Sequence, residues 1–162
     1  MSDNMKKTDV SGSAVSRVLR SLREGTMSPY EANALMSHFA SWGSPKAQFY
    51  LALFLHDGTG CQRDDAKALE YLRESAKSGN LNAAATLGEY LVNGTLGVTD
   101  ATGGHRLLRD AAVDGSRKAA ELLVRYYTDG VGVEKDAARA DFWKMVLELN
   151  SWEPGPGQRA LG

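Results

Sequence analysis

The sequence predicts an all-α fold, an α/α superhelical solenoid of about four helix pairs, on three observations. Landmark residues recur every 36 positions, residues that cap helix N-termini recur twice in each period, and the apolar residues between caps follow helical spacing. Gly58, Gly94 and Gly130 are equally spaced, as are Ala47, Ala83 and Ala119, and Leu51, Leu87 and Leu123; Gly79 and Gly115 keep the same interval. The caps form two series, Ser28, Asp64, Asp100 and Asp136 in one and Thr8, Ser44, Asn80 and Ser116 in the other. Each offers a side-chain oxygen to an amide that has no partner in the first helical turn.

Taken in order, a first helix is expected over 9–24, after Thr8. A second, over 29–41, opens at Ser28-Pro29-Tyr30-Glu31, where Pro suits the first helical position and Glu completes a capping box. Ser44-Pro45 opens the third, 45–56, which carries Leu51 and Leu55 and must stop at Gly58. The fourth, 64–77, follows Asp64 with Leu69, Leu72 and Ala76 on one face. Helices over 81–92, 100–113, 117–128 and 136–149 repeat the scheme. The sixth contains Gly103-Gly104, each costing about 1 kcal/mol relative to alanine inside a helix, and is expected to be the softest. After Asn150 the register fails, because Trp152 stands where a cap would fall and Glu153-Pro154-Gly155-Pro156-Gly157 cannot continue a helix. The expected organisation is a flexible segment 1–7, a degenerate or capping first pair 8–43, three full repeats (44–79, 80–115, 116–150) and a flexible tail 151–162.

With 162 residues, 43% hydrophobic and 24% charged, the chain has the composition of one ordered domain. A formal net charge of -1 gives no basic field to attract nucleic acid or an anionic membrane surface, and neither is expected as a partner. Cys61 is the single cysteine and has no disulfide partner in the chain; with no signal-like apolar run behind Met1, cytoplasmic localisation is the expectation.

The residues resemble a known family, the Sel-one-like repeats, relatives of the tetratricopeptide repeats. Its pattern is met in the third pair by Ala83, Leu87-Gly88, Tyr90, Gly94, Asp100, Ala111-Ala112 and Gly115. The fourth pair meets it with Ala119, Leu123, Tyr126-Tyr127, Gly130-Val131-Gly132-Val133, Asp136, Ala140 and Trp143. Gly94-Thr95-Leu96-Gly97 and Gly103-Gly104 depart from the pattern, and the first pair keeps little beyond its cap, Ala32, Ala40 and Gly43. The resemblance implies a stack of helix pairs with a concave groove lined by the first helix of each pair.

On those helices the residues that the repeat does not use are the candidate site: Arg17, Arg20, Lys46, Phe49, Leu53, His56, Glu89 and Arg125, with Lys118 nearby. Phe49 and Leu53, one turn apart, are the candidate apolar anchor for a protein or peptide partner. The competing reading packs Phe49 against the degenerate first pair. The functional expectation is a non-catalytic adaptor or scaffold; the alternative is an inhibitor or immunity protein that blocks a toxin or enzyme. Catalysis and cofactors find no motif. His38, His56 and His105 are scattered without metal-ligand spacing, and the glycine turns lack the strand and lysine of a phosphate loop. Asp110 and Asp114, one turn apart, read as a solvated helix face.

Overall fold

The computed structural model describes residues 12–150, which form eight helices and no strand. They are α1 (Gly12–Arg23), α2 (Pro29–Ser41), α3 (Pro45–Asp57), α4 (Asp65–Lys77), α5 (Leu81–Asn93), α6 (Ala101–Val113), α7 (Arg117–Asp129) and α8 (Ala137–Asn150). The expected cap at Thr8 and the segments 1–7 and 151–162 lie outside the described residues. Each helix packs on the next, so the pairs α1/α2, α3/α4, α5/α6 and α7/α8 stack in order. The odd-numbered, or A, helices also touch one another, α1 with α3 and α5 with α7.

The caps act as their chemistry requires. Ser28, Ser44, Asp64, Asn80, Asp100 and Ser116 each accept a hydrogen bond from the amide three residues on, and Ser28 and Glu31 close a full capping box. Asp136 accepts from the Arg139 amide at 2.9 Å. The bonds made by the Ser28 amide and hydroxyl hold the Glu31 carboxyl below the usual carboxylate range. Gly58, Gly94 and Gly130 end the A helices with φ of 74°, 70° and 78°, the left-handed conformation that lets their amides reach the carbonyls of Phe54, Tyr90 and Tyr126. The chain then returns to the A helix in the same way in every full repeat. Asp64 donates its amide to Leu55 O, Asp100 to Leu91 O and Asp136 to Tyr127 O, at 2.8, 2.9 and 2.9 Å.

Three apolar clusters fill the stack. Val15, Val18, Met36, Leu51 and Phe54 join α1 and α2 to α3; Phe49, Leu69, Leu72, Leu87 and Leu91 join α3 and α4 to α5; Leu108, Leu123, Tyr126 and Trp143 fill the last two pairs. Ala47, Ala83 and Ala119 have no exposed surface. Leucine at position 83 or 119 is therefore expected to overpack the helix contact and cost about 1–3 kcal/mol, seen as a lower melting temperature for each variant.

Gly104, like Ala68 and Ala140 a small residue expected to let adjacent helices approach, sits where α6 packs closely on α5. A methyl group there would come within 2.7 Å of Gly88 O and of Val92 Cγ2. The contact is reciprocal, since a methyl on Gly88 would meet Gly104 O at 3.0 Å and Leu108 Cγ at 2.8 Å. The pair is a close-packed seam that no larger residue fits, at the register position held by Ala68 and Ala140 in the neighbouring pairs.

The outer end differs from the interior. Where α4 buries Leu69 and Leu72 against α5, and α6 buries His105 and Leu108, the equivalent positions of α8 are the exposed Asp141 and Lys144, paired at 2.8 Å. The same helix also exposes Phe142, Met145 and Leu149, so its outer side mixes charged and apolar residues.

Candidate binding groove

Side-chain bonds between successive A helices mark the face they share. Lys46 of α3 reaches back to α1, donating to Gly12 O at 3.0 Å and Ser16 Oγ at 2.7 Å. One period later but one, Lys118 of α7 reaches back to α5, donating to Thr86 Oγ1 at 3.0 Å and pairing with Glu89 Oε2 at 3.0 Å. Asn93 of α5 donates to the Tyr126 hydroxyl of α7 at 3.2 Å. Together with the contacts of α1 with α3 and of α5 with α7, these bonds make the A helices the closely spaced, inner side of the stack.

On this face the 36-residue register sets a row of four residues, one per A helix: Arg17, Leu53, Glu89 and Arg125. Arg17 and Arg125 are exposed, while Leu53 is half-buried and packs its inner side on the second cluster. Glu89 sits between two cations, Lys118 on Oε2 and Arg125 Nη2 on Oε1 at 3.6 Å, and the Arg125 guanidinium lies 5.4 Å from the Tyr126 ring centre. Two positive groups share one carboxylate, so this part of the groove keeps one uncompensated positive charge. Both cations remain about half exposed, at 45% and 55%, which limits their worth to folding and leaves them within reach of a partner. Between them and Glu121 and Leu122 lies a shallow cavity of about 240 Å³.

A second cluster lies at the junction of α3 and α4. His56 Nδ1 is 2.7 Å from Asp65 Oδ1, and Arg63 grips the other side of that carboxylate with Nη2 at 2.6 Å. Arg63 first, and His56 second, hold the Asp65 carboxyl below its ordinary range. An ionised carboxylate only accepts, so His56 Nδ1 is the protonated nitrogen. The His56 ring centre is 5.4 Å from that of Tyr90, whose hydroxyl is pushed up by burial and then by the charges of Asp57, Glu89 and Asp65. The thiol of Cys61 points to Phe54 O, 3.5 Å away, and burial pushes its pKa up, the reverse of what a reactive thiolate needs.

The structure thus places the eight candidates unequally. Glu89 and Arg125 come together, and Arg17 and Arg20 are exposed on α1. Lys46 and His56 are half-buried and engaged within the chain. Phe49 is corrected: it is 8% exposed and belongs to the cluster of α3, α4 and α5, so it cannot be half of an exposed anchor. Nor does it pack against the first pair, as the competing reading had it. The same register position holds a buried Ala85 and an exposed Glu121 in the next two A helices, so spacing alone does not tell which way Phe49 turns. Thr86, Tyr90, Asp65 and Arg63 were missed as site neighbours. The recurrence of Arg17, Leu53, Glu89 and Arg125 was the signal available for the row.

Among the described residues there is no group of three or more His, Cys, Asp or Glu side chains arranged to hold a metal ion, and no helix long and apolar enough to cross a membrane.

Comparison with known proteins gives the same architecture. The model of the Sel1 repeat family matches residues 45–80 and 118–143. The stretch between them is the one in which Gly94-Thr95-Leu96-Gly97 and Gly103-Gly104 depart from the repeat pattern. The chain is similar to a Sel1 repeat protein from Oxalobacter formigenes, with a TM-score of 0.75 and 27% identity over 86% of this chain and 58% of that one. It also resembles c5321, a protective antigen present in uropathogenic Escherichia coli strains that displays an SLR fold, with a TM-score of 0.73 and 24% identity over 83% of this chain and 29% of that one. This chain therefore spans less than two thirds of either protein. No curated protein sequence matches it.

Proposed function

We propose that this chain, which matches the Sel1 repeat model at residues 45–80 and 118–143, is, as Sel1 repeat proteins generally are, a non-catalytic protein-interaction module, an adaptor or scaffold that holds a protein or peptide partner in the groove of its A helices. One observation carries the reading. At the packing positions the register repeats a single residue, alanine at 47, 83 and 119, whereas along the groove row it changes at every step, from Arg17 to Leu53, Glu89 and Arg125. Packing dictates the first kind of position. The second is left to recognition, because none of these four residues is needed to fill a core cluster's centre.

The charge pattern specifies the partner's chemistry. Arg17 and Arg20 at one end, and the Lys118–Glu89–Arg125 group at the other, flank the apolar Leu53, which favours a segment with acidic residues around an apolar one. The test uses the partner that copurifies with the tagged chain. Leu53→Ala is expected to weaken binding by roughly five- to thirtyfold, the effect of about 1–2 kcal/mol at an interface contact. Arg125→Glu should weaken it more at low salt than at high, mainly through a slower association rate. Unchanged affinity for both folded variants would move the site off the A helices.

A further inference from the structure

The outer side of the stack carries a cleft that the groove does not use. It lies between α4 and α6, over the start of α5, and encloses about 310 Å³, at the lower end of the range of small-ligand sites. Leu81, Ala84 and Leu107 form its floor. Arg73 and Lys77 of α4 stand on one wall, and Asp110 and Asp114 of α6 on the other. All four charged residues are exposed, and none of their side chains has a hydrogen bond or ion pair among the described residues.

The two aspartates are not explained by folding. They occupy the last turn and C-cap of α6, where the helix presents unpaired carbonyls and the negative end of its dipole, so carboxylates there are unfavourable. One repeat earlier the position of Asp110 is held by Glu74, whose carboxylate accepts a bond from Gln48 Nε2 at 3.2 Å. Asp110 has no such use. Two carboxylates held against the local field, facing two unpaired cations across an apolar floor, form a site with opposite poles. A simple anion is repelled by one wall and a simple cation by the other.

We propose that this cleft is a second binding site, for a peptide segment that carries an acidic residue and a basic residue on either side of aliphatic side chains. The acidic residue lies against Arg73 and Lys77, the basic one against Asp110 and Asp114, and the aliphatic chains cover Leu81, Ala84 and Leu107. The site is independent of the groove, since it uses none of the groove's residues.

Three blocked pentapeptides serve as probes, Glu-Leu-Leu-Leu-Lys, Glu-Leu-Leu-Leu-Glu and Lys-Leu-Leu-Leu-Lys, titrated into the isotope-labelled full chain while its amide resonances are followed. The mixed-charge peptide is expected to bind at least about tenfold tighter than either of the others, and to shift the amides of Leu81, Ala84 and Asp110. In the double variant Arg73→Glu/Lys77→Glu the preference should pass to the basic peptide, and in Asp110→Lys/Asp114→Lys to the acidic one. The second variant should melt no lower than the original chain, because it relieves the charge at the helix end. A lower melting temperature would mean that the aspartates serve folding, and overturns the proposal. So do equal affinities for the three peptides, shifts confined to Glu89 and Arg125, or concentration-dependent broadening of the cleft amides without peptide, which would assign this face to a second copy of the chain.

Discussion

Phe49→Ala is expected to lower the free energy of unfolding by about 3–5 kcal/mol, a large part of what holds a domain of this size together. The ring is buried among Leu69, Leu72, Leu87 and their neighbours and meets Tyr50 edge-on, with ring centres 5.0 Å apart. Its removal takes away the transfer energy of an aromatic side chain and leaves a cavity in the seam that joins the second pair to the third. Neighbouring repeats depend on each other for stability, so damage at this seam should be felt along the array. Urea denaturation followed by circular dichroism measures the effect. Any loss of partner binding in this variant should track the unfolded fraction. A variant as stable as the original, yet unable to bind, would return Phe49 to the role of exposed anchor.

Gly104→Leu is the second substitution with a large expected effect, and the sign of its milder relative, Gly104→Ala, separates two opposing terms. Helix propensity alone favours alanine over glycine by about 1 kcal/mol. Against this, the new methyl would press on Gly88 O, on Val92 Cγ2 and on the Val92 amide nitrogen, at 2.7, 2.7 and 3.1 Å. Two of those three are backbone atoms of α5, which cannot turn aside as a side chain can. Overpacking of this kind costs about 1–3 kcal/mol, so the steric term wins and Gly104→Ala should destabilise. Leucine should cost about 3 kcal/mol or more. Gly103→Ala is the control, because the atoms nearest its methyl would be those of the Asp100 carboxylate, a side chain that can move at the cost of its cap. That loss, about 1 kcal/mol, is offset by the propensity gained, and the melting temperature should stay nearly constant.

These two cases show what the sequence made legible. The caps, the helix-ending glycines and the period are local chemistry repeated at fixed intervals, and the helices it predicts start and stop within a residue or so of those observed for α2 to α8. The direction of an A-helix side chain is another matter. Phe49, Ala85 and Glu121 share a register position yet range from buried to exposed, because Phe49 and Ala85 each pack toward the pair that follows, whereas no further pair follows Glu121 among the described residues. Gly104 was legible as a small residue that lets adjacent helices approach, but not its partner. Its cost to an isolated helix is a sequence property, whereas its fit against Gly88 exists only once α5 and α6 meet. The charged half of the groove lay between these extremes. Glu89 and Arg125 were legible as residues that the repeat does not need, but the sharing of Glu89 between Lys118 and Arg125 required the distance between α5 and α7. In the outer cleft, Asp110 and Asp114 were legible as a solvated face, and they are exposed, but the opposite wall of Arg73 and Lys77 required the packing of α4 beside α6.

The claim that the A helices hold the partner is tested most directly by site-specific photocrosslinking. A photoreactive residue is placed singly at Leu53 and at Arg125, both on the groove row, and at Arg106, which is exposed on the outer face of α6 and outside the cleft. One and the same partner is expected to be captured from positions 53 and 125 and not from 106. Capture from 106 alone, with positions 53 and 125 silent in the folded chain, would contradict it.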